Sequence, residues 1–231
     1  MDKLSKERVG KFTASNMHKL LTEPKTKADK EAGYLSETAK TYIEEVAIEE
    51  VTGWKPHFTS AATDHGNINE AEAGKILEML GFNIEHTAPQ FSYVRGNIAA
   101  TPDYIEYQGI DVDRVFDVKC PFSPKSFFEQ KQIHLNCANN DLQGVPKPYF
   151  WQLQTQMYCT NSKKSVLLRY LTSSVTDNYG NVIEYDLDLQ YRYFFTEVKY
   201  CEQSIEKMLE AVEKAEKYKN YFIEKVIKWQ N

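Results

Sequence analysis

The sequence predicts a single α/β domain with a mixed central β-sheet flanked by helices, and three features predict it. Apolar residues recur at helical spacing in two early segments, Ser36 to Val51 and Asn69 to Leu80. Residues 97–120 are extended and alternating around a Gln108-Gly109 turn, the pattern of an antiparallel hairpin. A long amphipathic stretch then runs from Phe195 to Trp229. Taken in order, Ser5 to Leu21 contains a helix that Thr13 or Ser15 can cap, with Met17, Leu20 and Leu21 at apolar spacing. Pro24 to Gly33 is polar and lysine-rich and reads as a loop. The Ser36–Val51 helix turns Ala39, Ile43, Val46 and Ala47 inward and stops at Gly53. The Asn69–Leu80 helix carries Glu70 in its first turn and ends at Gly81. Phe82 to His86 starts the sheet, and strands follow near 90–95, 97–107 and 113–120. Ser126 to Lys131 reads as helix, then an asparagine-rich loop runs to Pro148. Tyr149 to Thr160 is predicted helical and Ser165 to Leu171 extended, with Asn178-Tyr179-Gly180-Asn181 a turn before a strand at 182–187. The last helix points Ile205, Met208, Leu209, Val212 and Phe222 inward.

Composition narrows the class. A chain of 231 residues, 42% hydrophobic and 26% charged, is long enough to bury a core and has the balance of a soluble globular protein. No apolar run reaches membrane-spanning length and the N-terminus lacks a signal-peptide core, so a cytoplasmic location with no membrane contact is expected. Cys120, Cys137, Cys159 and Cys201 are too widely spaced for a zinc or iron–sulfur framework and read as reduced thiols. The formal net charge of −5 requires any nucleic-acid partner to meet a local basic groove or channel. Lys3, Lys6, Arg8, Lys11, Lys19, Lys25, Lys27 and Lys30 supply a local excess of positive charge, readable either as such a surface or as a solvated helix face.

Chemistry concentrates between Pro102 and Pro121. Val115-Phe116-Asp117-Val118 is rich in strand formers, and side chains alternate along a strand, so Asp117 and Lys119 share one face. The hairpin folds Asp103 back toward Asp117. Two carboxylates and the Val118 carbonyl suit a hard cation such as Mg²⁺, which takes one or two carboxylates plus waters and phosphate. Lys119 beside them can offset charge on a phosphate under attack. This is the outline of a metal-dependent phosphodiesterase site, although Pro-Asp is also an ordinary turn pair and Asp-x-Lys is common on solvated strands.

Other segments carry two readings each. Glu70 is either a helix-start carboxylate favoured by the dipole or a further acid near the metal. Gln154 and Tyr158 share a helix face at i and i+4, where an amide can position water without competing for metal. Gln152, Gln154 and Gln156 cannot all face one way, so at least one is expected at the surface. Arg8-Val9-Gly10-Lys11-Phe12-Thr13-Ala14-Ser15 sets an arginine before a helix start, which is a phosphate pocket or a plain cap.

In this order, the pieces resemble the phage lambda exonuclease, or YqaJ-type viral recombinase, family of the PD-(D/E)xK nuclease superfamily. The strings are Arg8-x-Gly10-x-x-Thr13-Ala14-Ser15, Gly66-x-x-x-Glu70, Pro102-Asp103, Asp117-Val118-Lys119-Cys120-Pro121-Phe122, and Gln152-x-Gln154 running on to Tyr158. The likeness covers about residues 8–158 of one nuclease domain spanning 1–231. It implies a restriction-endonuclease-like core and a Mg²⁺-dependent exonuclease, with Mn²⁺ as a substitute, degrading one strand of linear double-stranded DNA from its 5′ end. Metal would be held by Asp103, Asp117 and the Val118 carbonyl. Lys119 would be catalytic, Glu70 and Gln154 would position water, and Arg8 and Ser15, with Thr13 beside them, would hold the 5′-phosphate. It also implies a homotrimeric ring around DNA and a single-strand annealing protein as partner in phage recombination. One departure is that the family pattern has glutamate where this chain has Asp117, one methylene shorter. The asparagine-rich segment from Gln132 to Gly144 has no counterpart in the motifs. The rival readings are an endonuclease or single-strand nuclease on the same core, and an inert DNA-end-binding module.

Overall fold

A computed structural model describes residues 6–54, 60–88, 91–137, 142–176 and 181–229. The N-terminal segment extends before it coils. β1 (Phe12–Thr13) and α1 (Met17–Leu20), joined by a 3-10 turn at Ala14–Asn16, replace the longer helix expected up to Leu21. Gly10, at φ +70, lets the chain reverse, and Phe12 then donates its N–H to the Asn97 carbonyl and commits the segment to a sheet. Thr13 makes no side-chain cap bond, and Ser15 lies inside the turn. α2 (Lys27–Glu31) is a short helix within the stretch read as loop, capped by Thr26 through the Asp29 N–H. α3 (Glu37–Thr52) forms as expected, with Ser36 accepting from Ala39 N and Gly53 at φ 68 ending it. α4 (Ala61–Met79) begins well before Asn69 because Ser60 caps it through Thr63 N. Glu70 therefore sits in mid-helix, and the helix-start reading of it does not hold.

β2 (Glu85–His86), β3 (Tyr93–Arg95), β4 (Ile98–Ala100), β5 (Tyr104–Gln108) and β6 (Asp111–Lys119) follow. The single strand expected over 97–107 breaks at Pro102, which has no N–H for a ladder. As a result β4 joins β1 and β3 in a three-stranded sheet, while β5 joins the central one. α5 (Pro124–Cys137) carries the helix past Lys131 through the first part of the segment read as loop, and residues 138–141 lie outside the described residues. Next come α6 (Lys147–Thr160), β7 (Lys164–Tyr170), β8 (Ser174–Thr176), β9 (Val182–Glu184) and β10 (Tyr193–Lys199). β8 and β9 pair with each other, and most of the expected turn between them, 177–180, lies outside the described residues. α7 (Glu202–Phe222) starts later than Phe195 because Tyr193-Phe194-Phe195-Thr196-Glu197-Val198 is aromatic and β-branched and pairs along β7. A π turn at Ile223–Ile227 follows.

The five-stranded central sheet runs β10-β7-β6-β5-β2. Among the described residues of this sheet only β6 and β7 pair in parallel, so the chain must cross over between them, and α5 and α6 form that crossover. One face of the sheet packs Val115 and Leu167 against Leu153 and Met157 of α6 and Met208 of α7. The other packs Phe116, Val118 and Leu168 against Leu77 of α4. Leu153 and Met157 are fully buried, each contributing about 1.5–3 kcal/mol. Along α7, Ile205, Met208 and Val212 point inward as expected, whereas Leu209 is exposed and Phe222 half-buried. Among the described residues no helix is long and apolar enough to cross a membrane. Cys120, Cys159 and Cys201 carry no disulfide.

Candidate active site

The β5–β6 hairpin turns at Gly109, φ +68, and returns Asp103 to the end of β6. Asp103 N donates to Phe116 O at 3.0 Å, and Asp103 Oδ2 accepts from Val118 N at 2.6 Å. A strand residue points its N–H and C=O to the same edge, so the Val118 carbonyl also faces the Asp103 side. Asp103, Val118, Lys119 and Cys120 line one side of a cleft of about 430 Å³. Gly66, Asn67 and Glu70 of α4 face them, and Ser126, Gln130 and Tyr149 close the third side. His86 Nε2 lies 3.3 Å from Glu70 Oε1, and the Tyr104 hydroxyl donates to the Glu70 carbonyl at 3.1 Å.

Asp117 is fully buried and lies behind this cleft. Its Oδ1 accepts from Gln152 Nε2 at 2.5 Å and Gln156 Nε2 at 3.0 Å, while Lys119 Nζ lies 2.5 Å from Oδ2. The amides at Asp117 are thus Gln152 and Gln156, one helical turn apart on α6. Gln154 is a correction to the expectation. It is fully buried on a different side of α6, donates to Lys199 O at 2.8 Å and accepts from Cys201 N at 2.9 Å, tying the β10–α7 junction. None of the three glutamines is a surface residue, because the helix is enclosed around most of its circumference. Tyr158 is likewise occupied elsewhere, under the Arg95 guanidinium at 4.2 Å, with its carbonyl accepting from Arg95 Nη1.

The electrostatics follow from crowding like charges under cover. Burial, then the neighbouring Asp117, hold the Asp103 carboxyl well above the usual range. For Lys119 burial alone would lower the pKa, but Asp117 and Asp103 outweigh it and the net shift is upward. Lys119 is therefore a fixed cation at neutral pH, with its Nζ 5.6 Å from the Tyr149 ring. Beside it in the parallel register is Arg169, which is fully buried. Arg169 Nη1 donates to Thr196 Oγ1 at 2.7 Å, and burial draws its pKa down to about 10. Sequence reasoning missed Arg169 because nothing local signals which residue of a later strand lies beside Lys119. Gln152 and Gln156 could have been found from their i, i+4 spacing.

Arg8, Thr13 and Ser15 make up a second cluster in sequence, in the N-terminal segment. Thr13 N donates to the Tyr42 hydroxyl at 2.8 Å, and Arg8 lies near enough for its charge to act on that hydroxyl, whose pKa burial pushes up to about 12. Ser15 is exposed and Arg8 half-buried. A 3-10 turn followed by a one-turn helix replaces the capped helix start, so no extended helix dipole acts on this cluster. The turn and α1 pack against α6, the helix that also reaches Asp117.

The donors near Asp103 fit a hard cation. Asp103 and Asp117 crowd each other under cover, and a cation at the cleft would relieve that repulsion. Among the described residues no three His, Cys, Asp or Glu side chains gather into a metal-binding group. Asp103 and Asp117 with the Val118 carbonyl match instead the few-carboxylate habit of Mg²⁺. Asp117 would offer Oδ2, the oxygen now facing Lys119.

A mixed sheet with a parallel crossover, flanked by helices and carrying Asp, Asp and Lys at one hairpin end, is a PD-(D/E)xK restriction-endonuclease-like core. Residues 5–163 match the model of the YqaJ-like viral recombinase domain, and the chain belongs to that family. Comparison with curated proteins finds no match. Among solved structures, a phage related exonuclease from Haemophilus somnus 129PT is similar at 23% identity and TM-score 0.73, covering 93% of this chain and 95% of that one. An alkaline exonuclease, LHK-Exo, from Laribacter hongkongensis is similar at 19% identity and TM-score 0.70, covering 99% of both chains. LHK-Exo in complex with dAMP gives 19% identity and TM-score 0.69 over the same 99% shares. At these identities the likeness is one of fold.

Proposed function

We propose that the chain is a Mg²⁺-dependent exonuclease that degrades one strand of linear duplex DNA from its 5′ end. The observation that carries this reading is the arrangement at the β5–β6 hairpin, where Asp103, the Val118 carbonyl, Asp117 and Lys119 converge beside an open cleft. Family membership and the exonuclease and dAMP-bound neighbours support it. Asp103, Asp117 and Val118 would hold the metal, Mn²⁺ serving as well as Mg²⁺. Bound there, the ion supplies Lewis-acid polarisation of the phosphate and lowers the pKa of water. Lys119, a fixed cation, offsets charge developing on the scissile phosphate and acts as an electrostatic group rather than a base. Glu70, steadied by His86 and Tyr104, orients water at the cleft mouth. Gln152 and Gln156 hold Asp117 in its rotamer, whereas Gln154, expected to position water, is engaged at the β10–α7 junction instead. Arg8, Thr13 and Ser15 receive the 5′-phosphate.

The whole chain acts as one nuclease unit, in the cytoplasm of a bacterial host, as a homotrimeric ring beside a single-strand annealing protein in phage recombination. A ring with a basic channel accommodates the net charge of −5. The test is digestion of linear duplex in Mg²⁺, with and without a 5′-phosphate, beside a closed circle and a Lys119→Ala control. Loss of the phosphorylated linear strand alone, abolished in the variant, is expected. Cutting of the circle would replace this reading with an endonuclease, and cutting that survives in Lys119→Ala would remove the site.

A further inference from the structure

We infer that Lys219 of α7, outside the region matched by the family model, is a positioning residue for the 5′-phosphate. The inference rests on the assignment of Arg8 and Thr13 to that phosphate. Lys219 is 4% exposed, and its Nζ lies 3.3 Å from the Gly10 carbonyl, 2.8 Å from Glu50 Oε2 and 2.9 Å from Glu216 Oε1. It also lies 5.5 Å from the centre of the Phe12 ring. A lysine so fully buried gives up its hydration, and two carboxylates replace it on one side while the Gly10 carbonyl takes the remaining donor.

That carbonyl belongs to the turn presenting Arg8. Lys11 N closes the turn on Arg8 O at 3.1 Å, and Gly10 occupies its left-handed position at φ +70. A Cβ at Gly10 would meet Glu50 Cβ and Cγ at 2.8 Å, so Glu50 walls one side while Lys219 holds the carbonyl on the other. Directly after the turn, β1 is fixed by Phe12 pairing with Ile98 and by Thr13 N on the Tyr42 hydroxyl. The backbone at and after Gly10 is thereby held at two points, and the Lys11 N–H on Arg8 O ties the Arg8 backbone to them. A phosphate clamp gains affinity from such pre-organisation because the arginine loses less freedom when the anion arrives. Without Lys219 the Gly10 carbonyl loses its partner and Arg8 samples more directions, so KM for phosphorylated ends rises.

The experiment compares kcat and KM on linear duplexes with 5′-phosphate or 5′-hydroxyl ends for wild type, Lys219→Met, Lys219→Arg, and Lys219→Met combined with Glu50→Gln. The double variant removes one of the carboxylates left without its partner, and it decides the matter if Lys219→Met does not fold. The expected result in folded protein is loss of at least half the preference for phosphorylated ends, carried by KM, with partial recovery in Lys219→Arg. Equal loss on both substrates assigns Lys219 a structural role only and overturns the inference, as does an unchanged preference. Arg8→Ala is the separating control. If it keeps the preference, the phosphate assignment itself fails; if it loses the preference while the Lys219 variants keep it, only the present inference fails.

Discussion

Asp103 is asked to carry a charge its surroundings oppose. Burial first, then Asp117, raise its pKa above the ordinary carboxylate value near 3.8. For an acid with a raised folded-state pKa, the contribution to stability is fully present below the unfolded value and is lost as pH rises through the folded one. Metal-free protein is therefore expected to melt at lower temperature as pH climbs above about 4, and Mg²⁺ to recover part of that loss. Thermal melts across pH in chelator and in Mg²⁺ measure this, and an unaltered slope in Asp103→Asn would assign the effect to another group. Lys119→Ala is expected to keep the fold and lower cleavage by at least about 10²-fold, the scale of removing one electrostatic donor, read by strand digestion alongside circular dichroism. The glutamines separate cleanly. Gln154→Ala should cost about 1–3 kcal/mol of stability by stranding Cys201 N and removing one of the two amides that donate to Lys199 O, with cleavage per folded molecule kept. Gln156→Ala should instead lower cleavage by loosening Asp117, and urea melts run beside rates on the same samples distinguish the two. At this scale the meeting of Asp103, Asp117 and Lys119 was legible because strand alternation and the hairpin turn are local rules, whereas Glu70 was expected at a helix start and lies in mid-helix. Gln154 was misplaced because choosing among alternate glutamines requires knowing which sides of α6 are covered.

At the scale of elements, the chain's own punctuation set the boundaries. Ser36 and Gly53 delimit α3 as their types demand, whereas Ser60 starts α4 earlier than its apolar spacing suggested, since Ala61 to Ile68 is polar and mostly exposed. β10 was read as helix because Phe195 and Val198 also fit a helical period, and only its pairing with β7 decides between the two. α4 meets the sheet closely at Gly74, where a Cβ would run into the Tyr104 phenol. Gly74→Ala is therefore expected to cost about 1–3 kcal/mol through overpacking. It should also lower cleavage, because Tyr104 holds the α4 backbone at Glu70. A shifted denaturation midpoint with full activity would show that the α4–Tyr104 contact does not steady Glu70.

For the molecule as a whole, the α/β class and the helices either side of the hairpin were legible, but the division into two principal sheets was not. It follows from one residue, Pro102, which sends β4 and β5 to different partners. The proposed ring is an assembly expectation of its own. Sedimentation at micromolar protein should give three copies per particle, and a monomer that digests long linear duplex without releasing it would exclude the ring as the source of that grip. The ion pair at Lys219 also bears on how the protein is made. Lys219 and Gly10 lie 209 positions apart, and the Tyr218–Glu44 bond spans 174. Contacts this distant form late, after most of the loop-closure entropy has been met, and on a ribosome they wait until α7 has emerged. A nascent chain can therefore complete its hairpin and its acids while the turn that presents Arg8 is still loose. The turn would tighten only once α7 packs against it, so the proposed phosphate clamp would be completed after the acids are in place.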